Sequence, residues 1–503
     1  MRFLLPTRRI WRAAIYLICL ALVFLAILMA MTELRRSIHP GFDTTRIIAP
    51  LQQNGAIDYL TAIEEYFGRG VTNENNAAPL IFRALGRKAL PDNQPEDGIT
   101  NRLGMPHLPE QGDYYVTFDE FMNQHPAEDD PDVTAPGDAI KLPVAFKPAT
   151  EAWVKANEKP LAILSEAALK TRFYIPFNGG HRTETILEVR LSHVPGLRDA
   201  RRALLTRALM RFQAGNFEGF RADVLTVMRL ARLTAQSMTM VERMEVANRL
   251  ESAACTTISA AATSGKLSAK QAQLLGKDLE ALGDLGHELD TFNVSERYLV
   301  LDTLQVLARA GPVHAGGLIN AAVGDLGGIP RINPVQFWRF VPIPYEDSMR
   351  SANHAYDGAM AVMAYPTFAE RARALDEWEK RINQIAGGNK VYRMTTPDWL
   401  LPAFMPAIAT ANRRAESVLM ENRLARVSLA LAAFKAEHGT YPTALAELVP
   451  ASFPSIPFDS FSGKPLVYSR SGDGYSLYSV GPNMTDDAGK STKPGDDLVV
   501  RAP

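Results

Sequence analysis

Five oxygen-bearing side chains crowd into fifteen residues near the C-terminus of this 503-residue chain. They lie in the stretch SVGPNMTDDAGKSTKPGDDL, as Asn483, Asp486, Asp487, Asp496 and Asp497. Hard oxygen donors from Asp, Asn and main-chain carbonyls are what Ca2+ takes, roughly six to eight in all. The group is therefore adequate in number for a structural calcium ion. Closing the loop without a cation would bring four like charges together, and a solvated acidic loop is the alternative reading.

Elsewhere the residue types are less suggestive. The stretch NGGHRTETILE (Asn178 to Glu188) gathers Gly179, Gly180, His181 and Arg182. It could hold an anion, but no base with an orienting partner accompanies it, and a polar loop with a helix cap explains it equally. His438 stands where a last-turn cation would favour a helix C-terminus. His287, His314 and His354 lack the HExxH spacing of a zinc site. In SERYLVLD, residues Glu296, Arg297 and Asp302 read as a helix start with internal ion pairs. There is no GxSxG, no phosphate loop and no GxGxxG, so the expectation is a protein without catalytic activity.

Cys19 and Cys255 are the two cysteines, and no CxxC spacing exists. They read as unpaired small hydrophobes. A formal net charge of -1 gives no support to a nucleic-acid partner, which would call for a basic patch.

The elements that must position these groups begin with a membrane anchor. Ala13 to Met31, AAIYLICLALVFLAILMAM, carries no charge over nineteen residues, and a spanning helix needs roughly 20. Arg2, Arg8, Arg9 and Arg12 precede it, against Arg35 and Arg36 behind it. The heavier positive side stays in the cytoplasm. Residues 1–12 are thus expected to be a cytoplasmic basic segment and residues 13–31 an uncleaved single-pass anchor in the bilayer. The bulk of the chain would then be extracytoplasmic, in the periplasm.

Residues 32–150 read as a helical and loop-rich segment, with two short helices over residues 56–86. Residues 151–400 read as a helical domain. Leu204, Leu205, Ala208, Leu209 and Phe212 mark one helix, and Phe220, Val224, Val227, Met228 and Ala231 the next. A Gly-Asn turn joins them into an antiparallel hairpin. Ser268 is expected to cap a further helix, and helices resume over about 348–384. Gly311 to Tyr345 is first Gly-rich and then aromatic and Pro-rich, which suits a buried connection or a surface contact by Phe337, Trp338 and Phe340.

In residues 407–503 a long helix carries Val418, Leu419, Leu424, Val427, Leu431 and Phe434 as an apolar stripe. It stops at Gly439, and Pro442 turns the chain. The period then switches to two, with Leu466 and Tyr468 followed by Tyr475, Leu477 and Ser479. A hairpin about SGDG is expected, with a last strand at Leu498 to Val500.

Two resemblances follow from these residues. The hairpin AGNFEGFRADVLTVMRLA has the small–aromatic–Gly layout of a tetratricopeptide turn. The C-terminal pieces GTYP, LVP, PFDSFSGKPLVY, GYSLYSVGPN and the late acidic pair, in that order, resemble the soluble domain of the major pseudopilin of type II secretion systems. That resemblance implies an α+β module, one long helix on a small antiparallel sheet. It also implies calcium in the loop after the Ser-x-Gly strand. Asn483 matches the first side-chain ligand and Asp496 and Asp497 the late pair, with Asp486 and Asp487 as additional candidates. The chain departs from the family in having no prepilin-type start. DYLTAIEEYFGRGVTNENNAA and FRADVLTVMRLAR resemble uncharacterised membrane-anchored bacterial proteins, which implies no activity. The expected fold is mostly α after one transmembrane helix, ending in the pseudopilin-like module. The expected role is a structural or interaction protein with secretion-system partners. The alternatives are an envelope enzyme and a helical-repeat adaptor with a pseudopilin-like cap.

Overall fold

A computed structural model describes residues 38–91, 96–125, 145–177, 185–286, 289–309, 344–386, 406–493 and 495–503, with Cys19, Leu20, Leu22, Val23 and Leu142. The expected anchor over 13–31, save those four positions, lies outside the described residues. So do His181 and its neighbours 178–184, His287, and residues 310–343 with Phe337, Trp338 and Phe340. Among the described residues no helix is long and apolar enough to cross a membrane.

The chain is mostly helical, with a small antiparallel sheet near its end. The helices are α1 (Tyr59–Phe67), α2 (Ala78–Leu85), α3 (Glu96–Arg102), α4 (Phe118–Gln124), α5 (Pro148–Ala156), α6 (Glu158–Ala167), α7 (His193–Gln213) and α8 (Phe217–Thr234). They continue as α9 (Met240–Glu242), α10 (Asn248–Thr263), α11 (Ala269–Leu282), α12 (Tyr345–Met363), α13 (Phe368–Ala386) and α14 (Pro406–His438). The expected helical stretch over 348–384 is divided at residues 364–367, where Pro366 interrupts it.

Local chemistry sets the ends. Asn216 starts α8 by accepting from Gly219 N at 2.9 Å. Ser268 and Gln271 close a capping box at the head of α11, as expected. The NENNAA stretch is explained by backbone satisfaction. The carboxamide of Asn76 donates to Tyr174 O (2.8 Å) and accepts from Tyr174 N (3.0 Å), so one side chain joins the start of α2 to a segment ninety-eight residues away.

The largest core joins α2, α6, α7, α8, α10 and α11. A second gathers Val300, Leu301 and Leu304 with Met349, Tyr356, Leu375 and Trp378 of α12 and α13. The third lies under the sheet, where Met420, Leu424, Val427 and Leu431 of α14 meet Phe461, Tyr475 and Leu477. Helix α14 enters all three. Ile408, Ala409 and Ala411 belong to the second core, and Ala425, Leu429, Ala432 and Ala433 to the first. The single stripe expected on α14 is therefore only part of its buried surface. A helix apolar on most sides is an interior helix.

Strands β1 (Val467–Ser471), β2 (Gly474–Ser479) and β3 (Leu498–Ala502) form an antiparallel sheet in that order. Tyr468 pairs with Leu477, and Leu477 with Val500. The hairpin turns at Gly472–Asp473, where sequence placed it. Tyr475 and Leu477 alternate inward on the central strand, and Tyr441 meets the Tyr475 ring edge-on at 4.8 Å.

Candidate functional site

The loop from the end of β2 to the start of β3 holds all five candidate ligands. Its first residues are fixed from below. Asp459, 1 % exposed, accepts from Ser479 Oγ (3.0 Å), Val480 N (2.9 Å) and Phe461 N (2.9 Å). Gly481 follows with φ +69°, and a Cβ there would stand 2.3 Å from the Asp496 carbonyl oxygen. The two ends of the loop thus cross at a point only glycine permits.

Beyond the crossing the loop folds onto its own carboxylates. Asn483 N donates to Asp496 Oδ2 (3.1 Å), and Asn483 Nδ2 to Asp487 Oδ2 (2.9 Å). Asp497 is buried and accepts from Gly489 N at 2.7 Å. Asp487, Asp496 and Asp497 each present an oxygen within 4.8 Å of the other two. Asp496 Oδ1 is buried without a hydrogen-bond partner. Burial raises the Asp496 pKa, the N–H of Asn483 opposes that, and the like charges of Asp487 and Asp497 raise it further.

The structure therefore brings together Asn483, Asp487, Asp496 and Asp497. Asp486 stands apart, because its Oδ1 accepts from Tyr478 Oη (3.1 Å) and Ala488 N (2.8 Å). Three convergent carboxylates with one orphaned buried oxygen suit a hard divalent cation. Sequence reasoning missed the two residues that shape the loop, Asp459 and Gly481. They lie in the PFDSF and SVGPN motifs, but neither motif states what its residue contacts.

Several other ionisable groups are committed to partners. A polar cleft of about 520 Å3 is lined by Glu64, Arg69, Thr72, Asn73, Arg102 and Tyr174, among others. Within it Arg102 grips Glu64 through both terminal nitrogens (3.1 and 2.8 Å), while Phe177 N donates to the same carboxylate (2.5 Å). His193 and Glu242 form a buried pair at 2.6 Å, with Phe82 and Phe173 against the imidazole. In SERYLVLD the expected internal ion pairs do not form. Arg297 reaches Asp357 of α12 at 2.8 Å, and Asp302 accepts from Thr185 Oγ1 (2.6 Å) and Ile186 N (2.8 Å).

Burial pushes the Asp302 carboxyl up to about 6, against the pull of those two hydrogen bonds. The fold thus favours its neutral form. Its contribution to stability is full below the ordinary aspartate value of about 4 and is lost as pH rises through about 6. Asp302→Asn keeps an acceptor and never ionises. Relative to the parent, it is expected to gain about 2–3 kcal/mol between pH 4 and pH 8. Urea unfolding of both chains across that range checks this, and a pH-independent difference would refute it.

No family model matches the chain, and no curated protein or solved structure is significantly similar to it.

Proposed function

We propose that this chain is a membrane-anchored, extracytoplasmic interaction protein. Its helical body carries a pseudopilin-like C-terminal unit, and calcium closes the acidic loop of that unit. It acts in or beside a type II secretion or pilus-like machine. The observation that carries this reading is the convergence of Asp487, Asp496 and Asp497, together with the unpartnered Asp496 Oδ1. Those three carboxylates would hold the ion, with Asn483 bonded to two of them as their positioning partner. The ion would supply positive charge where three like charges meet, and so fix β3 to β2. A long helix beneath a three-stranded sheet, with Gly439 and Pro442 at the joint, is consistent with the same reading.

The test is thermal unfolding of the full chain in detergent. A ligand at about 100 times its Kd adds about 2.7 kcal/mol. Sites of extracellular type bind calcium at about 0.1–1 mM. Calcium near 10 mM should therefore raise the Tm of the sheet-bearing unit by several degrees. Asp496→Ala should abolish that rise and Asp486→Ala should retain it. An unchanged Tm in calcium would count against the site.

A second reading, a helical adaptor whose C-terminal unit caps its own body, is favoured by the presence of α14 in the three largest cores. Crosslinking from the exposed Phe458 separates the two. Recovery of secretion components supports the first reading, and recovery of none supports the second.

A further inference from the structure

Residues 38–51 lie as an irregular strap across the second core. Their inner side is built in. Thr44 and Thr45 are buried, and Ile38 and Ile47 pack on the core. Asn353 Nδ2 donates to the carbonyls of Asp43 (3.1 Å) and Thr44 (2.7 Å). Tyr59 Oη donates to Thr45 O (2.9 Å), and Arg350 Nε to Asp43 Oδ2 (2.7 Å). The strap is thus fixed in place, and whatever it turns outward is held there.

What it turns outward includes three large apolar side chains, beside the exposed His39, Asp43 and Arg46. Phe42 is 69 % exposed, Ile48 51 % and Leu51 52 %, all within ten residues. The other large apolar side chains exposed in the described body are Tyr66, Leu169, Tyr365 and Met484, each alone in sequence, and the pair Ile456 and Phe458. Single exposed apolar residues need no explanation, but a group of them on one segment marks a contact surface. The chain itself names the occupant. The charge-free run ends at Met31, and Ile38 is already packed seven residues later. Seven residues reach no more than about 25 Å fully extended. If residues 13–31 span a bilayer, the strap is held close to its surface. A tether also holds the local lipid concentration high, so insertion too weak to recruit a free protein is enough to orient a tethered one.

We infer that Phe42, Ile48 and Leu51 seat in the lipid headgroup layer, and that the strap is the face on which the folded body rests against the bilayer. The inference rests on the anchored reading and deepens it, by specifying which face of the body meets the membrane. Arg46 and Arg350 on the same face are already paired, with Asp357 at 3.7 Å and with Asp43 at 2.7 Å and Asp347 at 2.9 Å, so the apolar side chains and not these cations make the proposed contact.

The test uses the full chain, with Cys19 and Cys255 replaced by alanine, in vesicles of zwitterionic phospholipid carrying a nitroxide lipid. A fluorophore is placed in turn at Phe42→Cys, Ile48→Cys, Leu51→Cys, Leu20→Cys and, as a remote exposed control, Lys266→Cys. The proposal expects probes at 42, 48 and 51 to be quenched severalfold more than the probe at 266, with that at 20 quenched as well. Quenching at 20 but not at 42, 48 and 51 overturns the proposal and leaves the anchor standing. Quenching at none of these positions overturns both. A blue shift at the three positions without nitroxide quenching, growing with protein density, would assign the patch to a second copy of the chain and overturns the proposal equally.

Discussion

Asp223→Ala is expected to loosen the α7–α8 hairpin by about 3–5 kcal/mol, the cost of leaving a buried charge without its partner. Asp223 is 1 % exposed and carries two arginines. Arg207 donates through Nε (3.1 Å) and Nη2 (2.7 Å), and Arg211 through Nη1 (2.9 Å). Both arginines sit on α7 and the carboxylate on α8, so the group fixes the register of the two helices. Removing the carboxylate leaves the Arg207 guanidinium, 10 % exposed, in the core with no anion. Arg211 is 34 % exposed and can turn to water, so Arg211→Ala should cost about 1 kcal/mol or less. The paired change of Arg207→Met with Asp223→Leu should recover most of the loss, because an apolar pair of similar bulk needs no desolvation. Several cores in one chain make a single global transition a poor readout. Hydrogen exchange of the α7 and α8 amides is therefore the measurement. A loss under about 1 kcal/mol in Asp223→Ala would show that the pair is not the register device.

Gly481→Ala should disorder the acidic loop and remove any calcium response. The new methyl meets the Asp496 carbonyl oxygen at 2.3 Å and its Oδ1 at 2.8 Å, so the main chain of the candidate site must move. The left-handed backbone adds about 1–2 kcal/mol of strain for a residue with a side chain. Gly463 is the matched control. Its φ is also +69°, but nothing lies within 4 Å of a Cβ built there. Gly463→Ala should carry the strain alone and leave the loop intact. Comparable melting and calcium behaviour in the two variants would remove Gly481 from any role in shaping the site.

Much of this architecture was legible in residue patterns, and what was not has identifiable causes. The α7–α8 hairpin, the Ser268 cap, the stop at Gly439 and the Gly472–Asp473 turn are local events, decided by neighbours in sequence. The second face of α14 was not legible, because alanines such as Ala425, Ala432 and Ala433 carry little hydropathy signal and gain meaning only from the helix packed on them. Asp486 and Asp487 look alike as neighbours, yet Asp486 accepts from Tyr478 Oη and Ala488 N while Asp487 accepts from Asn483 Nδ2, a division that adjacent positions do not announce. The partner of Arg297 is sixty residues away on α12, and no spacing rule points that far. The inner side of the strap at 38–51 is irregular, so its exposed apolar residues show no period to read.

The triple membership of α14 bears on how the protein is made. Helices α10 and α11 are complete by Leu282, yet the apolar ridge that covers them ends at His438. Synthesis at about 5–20 residues per second separates these points by roughly 10–30 s. Throughout that interval the growing body carries open apolar faces, and if residues 13–31 are inserted first, it does so while already fastened to a membrane. Biogenesis of this chain is then a race between its last hundred residues and aggregation. Dependence on a holding chaperone should track the arrival of α14, and not the length of the helical body.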